Sequence, residues 1–286
     1  MRKIDKERKN LLFFLLVCFF FSINMTCFSL LLGHNPIEFD TKESKENHLN
    51  ISASVSELWT FSPEGYVYSS AAMADLDNDG KLEVVIGSYD NNIYALNGED
   101  GTVLWNYTSG SSIYASAALG DINGDSYIDV VIGSEDLKVY ALNGRDGTEI
   151  WNFVTGLYVR SSPALGDLNG DNKIDVVVGS EDNKIYALNG EDGTEIWNYT
   201  TGGDVYSSAS LGDINNDGKL EVVIGSHDDK IYALNGTDGT EIWNYTTGGN
   251  VHGSPCLGDI NQDGNLEVVI GSYDGKIYAL NGIDGT

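Results

Sequence analysis

An acidic loop of nine residues returns every 46 residues along this chain, beginning at Asp75, Asp121, Asp167, Asp213 and Asp259. A period of this size marks one supersecondary unit copied and stacked, because a single unit cannot bury its own apolar face. The fourth unit shows the pattern. Val205–Gly212 leads into the acidic loop 213–221, then come Val222–Ser226, Ile231–Leu234, the turn Asn235–Gly239 and the Trp-bearing run Thr240–Thr247. These are four short β-rich runs separated by Asn-Gly and Asp-Gly turn residues, which tolerate positive φ. Val-Val-Ile and Ile-Tyr-Ala-Leu are apolar on both faces, as suits strands packed between neighbouring sheets. No window holds a helical period.

Four strands per 46 residues is the blade pattern of a β-propeller. A β-solenoid would use shorter coils. A string of separate small domains would leave each unit with too little core. The expected fold is therefore all-β, a five-bladed β-propeller of four-stranded antiparallel blades. The ends suggest how it closes. The fourth run carries Trp105, Trp151, Trp197 and Trp243, and Trp59 lies one period before the first of these. Residues 57–286 number 230, five times 46, so strand 57–61 is expected to complete the last blade and close the ring. A longer propeller with more blades is the competing reading.

The 34 Gly and 16 Tyr agree with many turns and strands. The formal charge of −27, from 43 acidic and 16 basic side chains, excludes nucleic acid held through a basic face. Residues 1–33 read as a basic flank followed by an apolar run, Leu11–Gly33. That pattern means export. We read it as an uncleaved membrane anchor, with a cleaved signal peptide as the alternative. Residues 34–56 form a polar linker. The protein is then expected on the extracellular face of the membrane, or secreted. Sequons at Asn50, Asn106, Asn198, Asn235 and Asn244 permit N-glycosylation. Cys18 and Cys27 lie in the apolar run, and Cys256 takes a register held elsewhere by Ala or Ser, so it reads as a small buried residue.

In each acidic loop, oxygen donors stand at positions 1, 3, 5 and 9: Asp75, Asp77, Asp79, Glu83; Asp121, Asn123, Asp125, Asp129; Asp167, Asn169, Asp171, Asp175; Asp213, Asn215, Asp217, Glu221; and Asp259, Asn261, Asp263, Glu267. A backbone curled around a hard cation needs donors at this spacing, so up to five calcium ions in a structural role are expected. Gly80, Gly218 and Gly264 supply the sharp turn at position 6. Ser126 and Asn172 replace it in loops two and three, which makes loop two the weakest expected site. Asp77 adds charge where the other loops have Asn, so the first loop should bind tightest among the glycine-containing copies.

The stretch Leu211-Gly-Asp-Ile-Asn-Asn-Asp-Gly-Lys-Leu-Glu-Val-Val-Ile-Gly225 resembles the FG-GAP repeats of integrin α-chain propellers and their prokaryotic relatives. Ile-Tyr-Ala-Leu-Asn-Gly-x-Asp-Gly-Thr-x-x-Trp resembles the repeat of quinoprotein-type propellers. The resemblance covers residues 57–286. It implies a calcium-binding extracellular propeller with the loop residues as ligands. Those families commonly have seven or eight blades against five visible here, and no quinone cofactor is expected.

Function should sit where the copies disagree. One varied register holds Tyr68, Tyr114, Arg160, Tyr206 and His252, and another holds Tyr89, Glu135, Glu181, His227 and Tyr273. Strand parity places both at the end opposite the acidic loops. Aromatic and charged side chains around one mouth suit a glycan or protein ligand. The expected function is a cell-surface binding or adhesion module. The alternatives are a purely structural envelope protein and a carbohydrate-active enzyme using Glu135 and Glu181. Repetition this regular argues against a dedicated active site, so no enzyme is expected.

Overall fold

The computed structural model describes residues 56–286, which form one compact unit. The expected anchor, linker, Asn50 sequon and first two cysteines lie outside the described residues. Among the described residues, nineteen strands are arranged in five antiparallel sheets, one per repeat. The first sheet contains β1 (Ala72–Ala74), β2 (Glu83–Gly87), β3 (Asn92–Asn97) and β4 (Val103–Thr108), in that order. The next three repeat it: β5–β8 over residues 118–154, β9–β12 over 164–200 and β13–β16 over 210–246. The fifth has three strands, β17 (Cys256–Gly258), β18 (Glu267–Gly271) and β19 (Ile277–Asn281).

Register recurs as faithfully as sequence. Ala72 pairs with Val85, Val85 with Ala95, and Ala95 with Trp105. A bulge falls after Ala95, Ala141, Ala187 and Ala233 alike. Because strands alternate faces, each sheet offers a different set of side chains to each neighbour. In the second sheet Val130, Ile132, Tyr140 and Leu142 pack against the first sheet. Val131, Val139 and Ala141 pack against the third. The core is therefore a series of layers between blades, which explains strands that are apolar on both faces.

Two contacts define each layer. Val159, Val205 and Val251 are fully or almost fully buried, and each sits over a second-strand glycine of the blade before it. A Cβ on Gly179 would lie 2.4 Å from Val205 Cγ1 and 2.8 Å from its carbonyl oxygen, so only glycine permits this approach. The Trp of each fourth strand lies over the next blade's turn, where Gly147 and its equivalents hold φ near +71°. Trp105 Nε1 donates to the Gly144 carbonyl at 2.7 Å, and Trp151, Trp197 and Trp243 do the same one repeat on. Near the innermost strands a serine ladder joins the blades: the backbone N–H of Ser70, Ser116, Ser162 and Ser208 each donates to the hydroxyl of the serine 46 residues later.

The expected closing strand is not formed. Residues 57–61 are irregular, and the fifth sheet lacks a fourth strand. Trp59 still occupies its register position, with Nε1 donating to Gly98 O at 2.9 Å, but Leu58 is 89% exposed because no strand lies beside it. Gly271 and Gly258, equivalents of Gly179 and Gly166, meet nothing within 4 Å, so the layer that would join the fifth blade to the first is not made. The same open flank exposes Ile277, whose equivalents Ile185 and Ile231 are fully buried. It also leaves Cys256 exposed, contrary to expectation.

The glycine–valine contact makes a direct prediction. Gly179→Ala should destabilise the protein by about 1–3 kcal/mol through overpacking. Combining it with Val205→Ala should cost less than the sum of the two single changes, because alanine removes Cγ1, the nearest of the clashing atoms. Urea unfolding of the four proteins checks this.

Candidate functional site

Antiparallel connections place the two sets of candidate residues at opposite ends of the blades. Each acidic loop joins the first strand to the second, at the same end as the turn between the third and fourth. The varied residues precede the first strand or lie in the turn between the second and third, at the other end.

The acidic loops are tied internally. In the first, Asp75 accepts the backbone N–H of Asp79 at 3.1 Å and of Gly80 at 2.9 Å. Asp79 accepts from Lys81 N at 2.8 Å, and Glu83 from Leu76 N at 2.8 Å. Equivalent bonds recur in the other loops. They bend the chain so that side-chain oxygens face inward. Oxygens of Asp75, Asp77 and Glu83 lie within 4.8 Å of one another, as do those of Asp121, Asp125 and Asp129. Among the described residues, loops three to five form no such group of three carboxylates. There the position-3 amide of Asn169, Asn215 or Asn261 donates to the carboxylate at position 9, at 2.9–3.3 Å.

Position 9 tests whether these residues fit a cation. Asp129 and Asp175 are fully buried, and Oδ1 of each has no hydrogen-bond partner. Burial, with Asp125 nearby, pushes Asp129 up to about 7; burial likewise pushes Asp175 up to about 6. Burial raises Glu83 and Glu221 as well. Buried carboxylates are normally paired or bound to a metal. An all-oxygen donor set with an orphaned buried oxygen fits a hard divalent cation.

Two residues per loop, not one, adopt positive φ. They are Asn78 and Gly80, Gly124 and Ser126, Gly170 and Asn172, Asn216 and Gly218, and Gln262 and Gly264. Every loop thus has one glycine, at position 4 or position 6. Loops two and three keep theirs at position 4, which attention to position 6 alone misses. Ser126, at φ 72°, still carries strain that glycine would not.

At the other end the ten varied residues form one continuous band. Tyr68 lies 4.9 Å from Tyr89 and 5.6 Å from Tyr114, between ring centres. The Arg160 guanidinium lies 5.9 Å from the Tyr114 ring and 5.7 Å from that of Tyr206. Arg160 Nε donates to Glu135 at 2.7 Å. Its Nη1 donates to Tyr206 OH at 3.0 Å and lies 2.8 Å from Glu181 Oε1, in an ion pair too bent for a hydrogen bond. Tyr206 stacks on His227 at 4.5 Å and 16°. His227 Nε2 and His252 Nδ1 are 3.2 Å apart, and His252 stacks on Tyr273 at 5.7 Å. Sequence reasoning missed Tyr66, 6.3 Å from Tyr68, and Tyr158, 5.2 Å from the Arg160 guanidinium. Both vary in the same lead-in to the first strand, where the other copies have Ser112, Asp204 and Asn250.

A carboxylate recurs in the turn between the second and third strands, at Asp90, Asp136, Asp182, Asp228 and Asp274. Asp136, Asp182, Asp228 and Asp274 each accept from a tyrosine OH four residues on and from a glycine N–H 26 residues earlier. These bonds fix the turns on which the band is mounted.

A family model for FG-GAP-like repeats matches residues 75–132 and 121–178, and one described as outer membrane protein assembly factor BamB matches 171–286. Residues 75–178 are thus similar to FG-GAP-like repeats and residues 171–286 to the BamB repeat, each match covering less than half of the chain. No curated protein matches it. Among solved structures, BamB from Moraxella catarrhalis is 20% identical with a TM-score of 0.61, over 80% of this chain and 62% of that one. Quinohemoprotein alcohol dehydrogenase from Comamonas testosteroni is 16% identical with a TM-score of 0.61, over 78% and 42%. BBS1N in complex with ARL6DN is 14% identical with a TM-score of 0.53, over 77% and 67%. The chain thus spans less than two thirds of the first two. Identities this low show the fold alone, and that fold is a propeller.

The raised carboxylates set a pH dependence. Free Asp titrates near 3.9, so a buried Asp raised to about 7 or about 6 contributes stability below pH 4 that is lost as pH rises through those values. In chelator, the melting temperature should fall between pH 5 and 7.5, and Asp129→Asn should flatten the fall. Millimolar calcium should remove it.

Proposed function

We propose that this chain is a calcium-stabilised, non-enzymatic binding module, displayed outside the cell, whose protein ligand seats on the aromatic band. The observation that carries the reading is the band itself. Ten side chains from five repeats, at registers where the repeats disagree, form one surface with Arg160 at its centre. Aromatic residues and arginine are the types that dominate binding hot spots. A protein ligand is favoured over a glycan by two of the likenesses: the family model that matches residues 171–286 is that of an assembly factor, and BBS1N was solved in complex with ARL6DN. Glu135 and Glu181 are both ion-paired to Arg160, so neither stands free as an acid or base, which supports binding over turnover.

Calcium in the loops would act from the far end of the blades, holding the strands that present the band. With extracellular-type affinities of about 10⁻⁴ to 10⁻³ M, each ion at ten times its Kd adds about 1.4 kcal/mol. The melting temperature should therefore rise with millimolar calcium and return to its starting value with EGTA. Insensitivity to calcium would remove the metal from the proposal.

The ligand surface is tested by selecting peptides from a displayed library against the calcium-loaded protein. Tyr68→Ala combined with Tyr114→Ala should weaken selected peptides at least ten-fold, while Glu99→Ala at the opposite end should leave them unchanged. Failure to enrich any peptide, or binding indifferent to the tyrosines, would overturn the reading. Binding on a glycan array with no peptide enriched would move the ligand class to carbohydrate.

A further inference from the structure

Two imidazoles face each other within the band. His227 Nε2 and His252 Nδ1 are 3.2 Å apart and the ring centres 5.4 Å apart, so the facing nitrogens lie nearly on the line between the rings. A metal ion would need both lone pairs bent toward a common point. Nitrogens aimed at each other need a proton between them instead. One ring donates, the other accepts, and the pair has room for one bridging proton but not two.

The surroundings offer little to neutralise a second charge. On the turn bearing His227, the Asp228 carboxylate accepts from Gly202 N and Tyr232 OH, and Asp229 Oδ1 accepts at 3.0 Å from the Asn250 amide when that amide is turned with its nitrogen toward the carboxylate. From the preceding lead-in, Asp204 presents its backbone carbonyl to His227 N, and Tyr206 stacks on the ring. On the turn beyond His252, Asp274 pairs with Lys276 and Tyr278, and Tyr273 stacks on His252. Arg160 and Glu181 reach the pair only through Tyr206. No carboxylate among these makes a hydrogen bond or ion pair with either imidazole.

We propose that the His227–His252 pair is an acid-release switch for the ligand on the band. This rests on the band being the ligand surface. At neutral pH the bridging proton joins the fourth blade's turn to the lead-in of the fifth, and Tyr206, His227, His252 and Tyr273 form one platform. The first added proton goes to an outward nitrogen and leaves the bridge intact. The second places a proton on both facing nitrogens, breaks the bridge and sets two cations against each other. The platform then separates, and a ligand seated across it dissociates. Burial and the neighbouring His227 hold His252 below its ordinary value, which agrees with a costly second proton.

The experiment has two arms on the full chain in calcium. Imidazole nitrogen NMR should resolve two protonation steps separated by more than about one pH unit, as coupled sites do. A single shared step would overturn the switch whatever the ligand. In the second arm, a peptide selected against the band at pH 7.5 should bind at least ten-fold more weakly at pH 5. His252→Asn keeps a neutral acceptor near the Nδ1 position, and His227→Gln keeps an amide near Nε2; either should make binding independent of pH. Separated steps with pH-independent wild-type binding would refute the switch and leave the band reading standing. Peptide binding that ignores Tyr68 and Tyr114 would refute the band reading, while the NMR arm still reports on the pair.

Discussion

Everything in this structure depends on how closely one blade approaches the next. A β-sheet of four short strands has two apolar faces and cannot shield either alone. The second-strand glycine removes the side chain that would hold the next sheet away, and a valine or isoleucine of the neighbour fills the space. The tryptophan covers the outer part of the same layer and satisfies its own N–H on a neighbour's carbonyl. Because each layer is built from both blades, no blade has a core of its own, and the stability of one is inseparable from that of its neighbours.

The two ends of the blades then become chemically different. The acidic loops recur with oxygen donors at the same positions, as expected of parts that hold a scaffold. The other end repeats its backbone but not its side chains. The Asp90-type carboxylates hold the turns in place by bonds common to all blades. Tyr, Arg, Glu and His are presented on that constant support, so specificity can change without disturbing the frame.

Much of this was legible in the sequence because the period fixes so much. The four-stranded antiparallel sheets of the first four repeats and the end on which the varied residues lie follow from a 46-residue unit and strand parity. Three things did not. The contact between the fifth blade and the first depends on the angle each layer imposes, which a count of residues does not contain, so strand 57–61 and Cys256 were misplaced together. The second left-handed residue of each loop was hidden because Asn78, Asn216 and Gln262 are not glycine, although Gly124 and Gly170 at that position signalled it. The pairing of Arg160 with two glutamates from neighbouring blades, and of His227 with His252, is a matter of side-chain reach across blades, and identity alone does not give it.

The serine ladder carries a consequence of a different kind. Each rung runs from a backbone N–H to the hydroxyl one repeat later, so every inner blade brings one donor and one acceptor. Duplicating a whole unit inside the array would break no rung and demand no new kind of contact. The gene can therefore lengthen or shorten by recombination between its own copies, with selection left to act on the few residues at the mouth that distinguish one copy from another.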